Sequence, residues 1–265
     1  MSSGSKPRLQ PLVGKTALVT GGTGGIGLSC ATALVNAGVT KIAINGRSVE
    51  RADKAAAQLA EREAPAEIFA VAGDVSEAEV AASVVAAAAD RLGRIDIVVN
   101  STGGNDIPAL LARTPLEEIH GILGRTMLGQ MLVSRAVLPD MMDARTGSII
   151  NIASDAAKIP TPGESIIGAA MAAIAMFTRC LAVEGKRHGI RANVLTPSIV
   201  RGTDFYERLM SDEFSGKLFR KAEQMASLGV VEKEDLAELV VFLASPQASK
   251  ITGQTISITG GISAA

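Results

Sequence analysis

TALVTGGTGGIG, residues 16–27, decides the fold. Thr16–Thr20 is a short apolar run with strand character, and Thr20–Gly27 is a glycine-rich turn. Helical spacing follows to about residue 37. In that setting glycines permit a tight turn and close backbone approach, and the unpaired N–H groups of a helix start attract pyrophosphate. A glycine-rich string also serves as a plain helix-packing turn. Its place between strand and helix, near the start of the chain, favours a nucleotide loop with Gly21, Thr23, Gly25, Ile26 and Gly27 at the phosphates.

The same alternation continues outward. Strands are expected at 41–45, 68–75, 96–100, 148–153, 191–197 and 254–261, with helices at 49–63, 77–92, 115–141 and 164–185. Near-continuous apolar strands alternating with helices predict an α/β chain: a Rossmann-type, doubly wound parallel sheet of about seven strands with helices on both faces. Residues 11–265 read as one dinucleotide-binding domain behind a polar tail, 1–10, that is expected to be disordered. Residues 198–230 are polar and irregular in pattern. They follow the carboxyl end of the sixth strand, where open α/β sheets bind ligands, and suggest a substrate lid.

Composition excludes several functions. The 265 residues carry 26 Lys and Arg against 27 Asp and Glu, a net charge of −1, which leaves no footprint for nucleic acid or an anionic membrane. No apolar run reads as a membrane span and no secretory leader precedes the first strand, so a cytoplasmic protein is expected. The cysteines, Cys30 and Cys180, read as two buried thiols; they form no ligand cluster with the two histidines, so no metal site is expected.

Strand ends add to the cofactor reading. The second strand ends in INGRS, with Asn45 and Arg47 where an NAD enzyme usually places a carboxylate for the ribose hydroxyls. Nothing there repels a 2′-phosphate and a guanidinium could pair with one, which favours NADP while leaving NAD possible. Arg47 also reads as an ordinary loop charge. GDV places Asp74 and Val75 near the adenine, and NSTG places Asn100 by the ribose–nicotinamide side.

Together these motifs resemble the short-chain dehydrogenase/reductase superfamily over roughly residues 12–263. TGxxxGxG is Thr20–Gly27, the D-V pair is Asp74–Val75, and NNAG is altered to NSTG. RAVLPDM (135–141), GSIINIAS (147–154), HGIRANVLTP (188–197) and ITGQTISITGG (251–261) are also family-like. The resemblance implies NAD(P)-dependent chemistry on a hydroxyl or carbonyl group. It further implies a Tyr for proton transfer, a Lys four residues on, a Ser for the substrate oxygen and an Asn on the preceding helix. Ser154 matches the Ser. The Tyr is due thirteen residues later, where the chain has Ile167, and the Lys position holds Met171. Counting back 26 residues from Asn193 reaches Ile167 again, so the alignment has not slipped. The Asn position holds Thr126, and the family's Pro-Gly is Pro197-Ser198. Thr203 approximates a carboxamide-binding Thr, one residue late.

A positioned general acid is worth about 10²–10⁴-fold in rate. Without the usual one, Tyr206, the only tyrosine, stands as a substitute beside Ser154, although lid packing explains it as well. Asp155 and Lys158 read as loop charges. NIASDAA with PGE (162–164) loosely resembles the hydroxyacyl-CoA dehydrogenase-like branch, which implies that an acyl-CoA thioester is one conceivable substrate. Two functions are therefore expected: an oxidoreductase with a non-standard site acting on a small molecule, or an inactive subunit stabilising an active homologue. Both imply a homo- or hetero-oligomer with a chain of the same family.

Overall fold

The computed structural model describes residues 11–61, 66–103 and 105–264. The expected tail, 1–10, lies outside them. In chain order the elements are β1 (Thr16–Thr20), α1 (Gly25–Asn36), β2 (Lys41–Gly46), α2 (Val49–Ala60), β3 (Glu67–Ala72), α3 (Ala78–Leu92), β4 (Ile97–Asn100), α4 (Leu116–Leu123), α5 (Gly129–Ala144), β5 (Gly147–Ile152) and α6 (Ser165–Gly185). They continue with β6 (Ile190–Pro197), β7 (Val200–Arg201), α7 (Asp204–Ser211), α8 (Glu213–Met225), β8 (Val231–Glu232), α9 (Lys233–Ala244) and β9 (Thr255–Ile258).

Seven strands form one parallel sheet in the order β3-β2-β1-β4-β5-β6-β9. The apolar strands explain it: all five β1 residues are buried, so both faces must be covered. Successive side chains take opposite faces. Ala17 and Val19 pack in a layer with Leu34 of α1, Leu59 of α2 and Leu236 of α9. Leu18 packs on the other side with Val84 of α3, Val137 of α5 and Leu181 of α6. The chain leaves β1 for β2 and β3 in one direction and returns to β4 on the other side. That reversal opens a crevice at the carboxyl ends of β1 and β4.

A row of buried polar side chains crosses the sheet beside this crevice. Thr20 and Asn100 are register partners, as are Asn100 and Asn151. The Thr20 hydroxyl donates to Asn100 Oδ1 at 3.2 Å, and Asn100 Nδ2 donates to Asn151 Oδ1 at 2.9 Å. Asn151 Nδ2 then donates to the Thr178 hydroxyl of α6 at 2.8 Å, and that hydroxyl donates to the Ile174 carbonyl at 2.7 Å. All four side chains are sealed from solvent.

Several expectations need correction. The single helix expected at 115–141 is α4 and α5 joined by a π-helical turn, Gly124–Leu128, which accommodates an extra residue at the level of Thr126. The expected helix at 49–63 ends at Ala60, and residues 62 and 63 lie outside the described ones. Residues 198–230 are not irregular: they hold α7 and α8, whose amphipathic patterns bury Leu209 and Phe219 in a small cluster of their own. The sequence reading placed no element at α9, which packs along α1 under the sheet. Cys30 is buried, with its thiol pushed up to about 12 by burial, but Cys180 is exposed on the outer side of α6. Ser165–His188 is, by length and composition, apolar enough to cross a membrane, contrary to expectation. Much of its apolar character serves the core, through Ile174, Leu181 and Ala182.

Truncating one member of the polar row leaves its neighbours without partners, at about 1–3 kcal/mol for each orphaned buried group. Asn151→Ala is expected to lower stability by about 3–5 kcal/mol in urea denaturation. A loss under 1 kcal/mol would mean that the row contributes little to the fold.

Candidate functional site

The crevice opens into a cavity of about 720 Å³. Gly21, Thr23, Gly25, Ile26 and Gly27 line one end. The glycine requirement has two clear causes. Gly21 has φ +65°, and a Cβ there would collide with the Ser101 carbonyl. A Cβ on Gly27 would collide with the Gly21 carbonyl, so the start of α1 seats directly on the loop. The helix cap, Gly24, supplies no side-chain hydrogen bond, and the first turn of α1 holds no acidic residue. The helix start therefore keeps its N–H groups and its positive end for an anion.

At the adenine end Asn45, Arg47, Asp74 and Val75 all line the cavity, with Ser48, Arg51 and Ser76. Asn45 is almost wholly buried and its Nδ2 donates to the Val71 and Gly73 carbonyls, while its Oδ1 has no partner among the described residues. Asp74 accepts from Ser76 N at 3.1 Å and from the Ser76 hydroxyl at 2.7 Å. Those bonds chiefly hold its carboxyl below the usual range, and the nearby charge of Arg47 adds to them against the opposing effect of burial. Arg47 and Asp74 thus share one corner. Asn100 is a correction. Its side chain is committed to the buried polar row and does not line the cavity; Ser101, Thr102 and Gly103 do. The buried Thr102 hydroxyl has no partner among the described residues.

The cavity size, the glycine cradle, the uncapped helix start and the unpartnered atoms at Asn45 and Thr102 fit a dinucleotide. When bound, such a group supplies or accepts a hydride at its nicotinamide end. The residues placed to hold it would be the loop and α1 at the phosphates, Asp74 and Val75 at the adenine side, and Thr203 near the loop. Thr203 caps α7, accepting from Tyr206 N at 3.1 Å, and its methyl side faces Gly25.

The substrate end is mostly apolar. Ser154 lines it, its Oγ accepting from Ala156 N at 3.2 Å. Ile167 and Met171, at 9% and 5% exposure, line the same wall and pack with Ala153, Ile174 and Val194. Neither can exchange a proton or donate to a ribose hydroxyl. Thr126 is buried in the π turn with its hydroxyl unpartnered, one residue after Arg125, which reaches the cavity and pairs with Asp106 at 2.8 Å. Tyr206 also lines the cavity, but its hydroxyl donates to Glu223 Oε1 at 2.9 Å, and Arg201 holds the same carboxylate oxygen at 2.9 Å. Burial raises the Tyr206 pKa and Glu223 raises it further, the opposite of an activated phenol. Lys158 points elsewhere, bonded to the Ser257 hydroxyl and 3.9 Å from Asp155. Asp155 is buried and accepts from the Ser263 hydroxyl at 2.6 Å, so it is no loop charge.

The sequence reading missed Glu164. It lines the cavity at the start of α6, two residues after the proline of PGE, and burial pushes its carboxyl up to about 7. The only sequence signal was a carboxylate immediately ahead of a long apolar helix.

A parallel sheet with a glycine-rich nucleotide loop at its reversal point defines a dinucleotide-binding α/β oxidoreductase class. The short chain dehydrogenase family model matches residues 15–213. The chain is 33% identical over 252 residues to 2,3-dihydroxy-2,3-dihydro-p-cumate dehydrogenase of Pseudomonas putida, covering 95% of each protein. A short-chain type dehydrogenase/reductase from Mycobacterium ulcerans superposes with a TM-score of 0.88 at 27% identity, covering 95% of this chain and 90% of that one. Gluconate 5-dehydrogenase from Burkholderia cenocepacia, solved with NADP and tartrate, gives 0.86 at 29% identity, with 96% and 97% covered. The chain belongs to the short-chain dehydrogenase/reductase family and is an NAD(P)-binding oxidoreductase of that type.

The apolar wall has a direct test. Met171→Lys places an ammonium in a buried apolar setting and is expected to cost about 2–4 kcal/mol at neutral pH. A buried Lys has a depressed folded pKa, so the loss should be larger at pH 6 than at pH 9 in denaturant titrations. A variant as stable as the wild type at pH 6 would show that water or a carboxylate reaches this wall.

Proposed function

We propose that the chain uses NADP(H) in preference to NAD(H) and acts on a hydroxyl or carbonyl group of a small molecule, at a site built without the family's Tyr and Lys. The carrying observation for the cofactor is the corner of Arg47 and Arg51 beside Asn45, with no carboxylate at the end of β2. A 2′-phosphate placed there meets the Arg47 and Arg51 guanidinium groups, which outnumber the Asp74 carboxylate that shares the corner and is bonded to Ser76. Ser154 is the substrate-orienting residue, and α7 covers the substrate end. Substrates with a soft apolar body and one oxygen to be oxidised or reduced suit a wall of Ile167, Met171, Phe205 and Leu209.

A second reading has its own observation. Thr126, Ile167 and Met171 are all buried or nearly so, and a wall that is chemically blank suits a subunit that stabilises an active homologue. The outer side of α6 supports association, because Met176 and Val183 are exposed there at 57% and 62%. Co-purification with a related chain that carries Tyr and Lys would favour this reading over independent turnover.

Calorimetry separates the cofactors. NADPH is expected to bind at least about tenfold more tightly than NADH, one charge-assisted contact being worth about 1.4 kcal/mol or more. Arg47→Glu should abolish that ratio while leaving NADH affinity within about twofold. Equal affinities in the wild type would overturn the NADP preference, and no binding of either nucleotide would overturn the enzymatic reading itself.

A further inference from the structure

Any proton-transfer group at this cavity must line it near Ser154, hold an ionisable proton near neutral pH, and be fixed in place. Tyr206 fails the second condition through its bond to Glu223. Asp106 is paired with Arg125, and Asp74 sits at the adenine end with a lowered pKa.

Glu164 meets all three. It lines the cavity together with Ser154, Ile167 and Met171, at the position just ahead of the first turn of α6. Gly168 sits one turn on. A Cβ there would stand 3.0 Å from the Ala156 carbonyl, so this end of α6 presses directly on the turn that begins at Ser154. The backbone around Glu164 is tied on both sides. Its N–H donates to the Thr161 carbonyl at 3.1 Å, and its carbonyl accepts from Gly168 N at 2.6 Å. Gly163 holds φ +88°, its carbonyl accepts from Ala109 N at 3.0 Å, and Phe214 of α8 closes over it. The Glu164 side chain makes no capping bond to α6, so it is not used to finish the helix.

We propose that Glu164 is the acid–base residue of this site, exchanging a proton with the substrate oxygen that Ser154 orients. The proposal rests on the reading of the cavity as a nicotinamide-dependent oxidoreductase site. In the reducing direction, a bound dihydronicotinamide would supply a hydride, two electrons and a proton's mass, to the carbonyl carbon. The C=O π pair moves to oxygen, and an O–H bond forms there as the Glu164 O–H bond breaks. The products are an alcohol, an oxidised nicotinamide and the Glu164 carboxylate, which regains its proton from water. Oxidation runs these steps backward.

The electrostatics agree with the role. Burial keeps the Glu164 carboxyl protonated to about 7, the Asp155 charge adds to that, and the Thr161 hydroxyl opposes it. Of the other charged groups near this end, Asp155 faces Lys158 and the Ser263 hydroxyl and Asp106 pairs with Arg125, while Asp204 and Arg208 of α7 also line the cavity, Arg208 donating to the Asn105 carbonyl. A general acid is most effective when its pKa lies near the working pH.

The test uses the full chain labelled with ¹³C at the glutamate carboxyls. NMR titration should reveal one resonance with a midpoint near 7 that is absent in Glu164→Gln. Its midpoint should fall by at least about half a pH unit when saturating NADP⁺, with its cationic ring, is added. Nucleotide affinity of Glu164→Gln, measured by calorimetry, should stay within about twofold of wild type, which also reports that the variant is folded. With any of ethyl acetoacetate, 2,3-butanedione or cyclohexanone that the wild type reduces, Glu164→Gln should lose about 10²–10⁴-fold in kcat. Glu164→Asp should recover part of it. A midpoint below 5.5, a midpoint indifferent to bound NADP⁺, or an unchanged kcat overturns the assignment while the oxidoreductase reading stands. Failure of the wild type to bind NADP⁺ or NADPH overturns that reading and the assignment with it.

Discussion

The row Thr20–Asn100–Asn151–Thr178 is the constraint on which the site depends. A parallel sheet whose strands are apolar on both faces has little to distinguish one register from another. In-register amides remove that ambiguity. A slip of two residues would bury Asn100 and Asn151 without partners, at a cost well above the small net gain of each bond. The row also reaches α6 through Thr178, so one chain of hydrogen bonds fixes three strand ends and the helix that walls the cavity. Gln130 extends the effect. Its Nε2 bonds the Thr102 carbonyl at 3.1 Å and the Ile152 carbonyl at 2.8 Å, holding the loops after β4 and β5 at fixed separation.

On that frame the two halves of the cavity have different characters. The nucleotide half follows the family in detail, down to steric contacts that only glycine satisfies. The other half holds Ser154 beside Ile167 and Met171 of α6, which belong to a small apolar cluster. Removing an ammonium from a buried wall relieves a desolvation cost and takes away whatever that charge did for neighbouring acids. The ionisable function left on that wall sits three residues earlier, at Glu164, where burial rather than a neighbouring cation sets the proton affinity.

Much of this was legible in the sequence. That the loop glycines, Asn45, Arg47, Asp74 and Val75 lie at one cavity was legible because a glycine-rich turn and strand ends are local features with fixed spacing. The empty Tyr and Lys positions were found because Ser154 and Asn193 fixed the register from both sides. Other features depend on packing across the fold. Asn100 reads as a ligand contact until its amide is seen filled by Asn151 and Ser134. Cys180 shares the apolar pattern of α6 and differs from its neighbours only in facing outward. The π turn at Thr126 has no periodicity signature, since one extra residue shifts the pattern by less than a helix turn. α7 and α8 were hidden because their apolar faces are narrow, and Glu164 because a lone carboxylate carries no motif.

The order of strands also sets a sequence of events. β1 precedes β4 in the chain and lies near the centre of the sheet, yet its β4 side stays open until residues 97–100 emerge. Thr16 waits for a partner 80 residues away, the Asp96 carboxylate that accepts its N–H. Through that interval the nascent chain presents an apolar strand edge, the feature most prone to mispairing. Closure of this contact brings Ser101 against Gly21 and so completes one wall of the nucleotide crevice. A contact between residues 80 apart thus also shapes the binding site, and a nucleotide that binds only the closed form stabilises that contact by mass action.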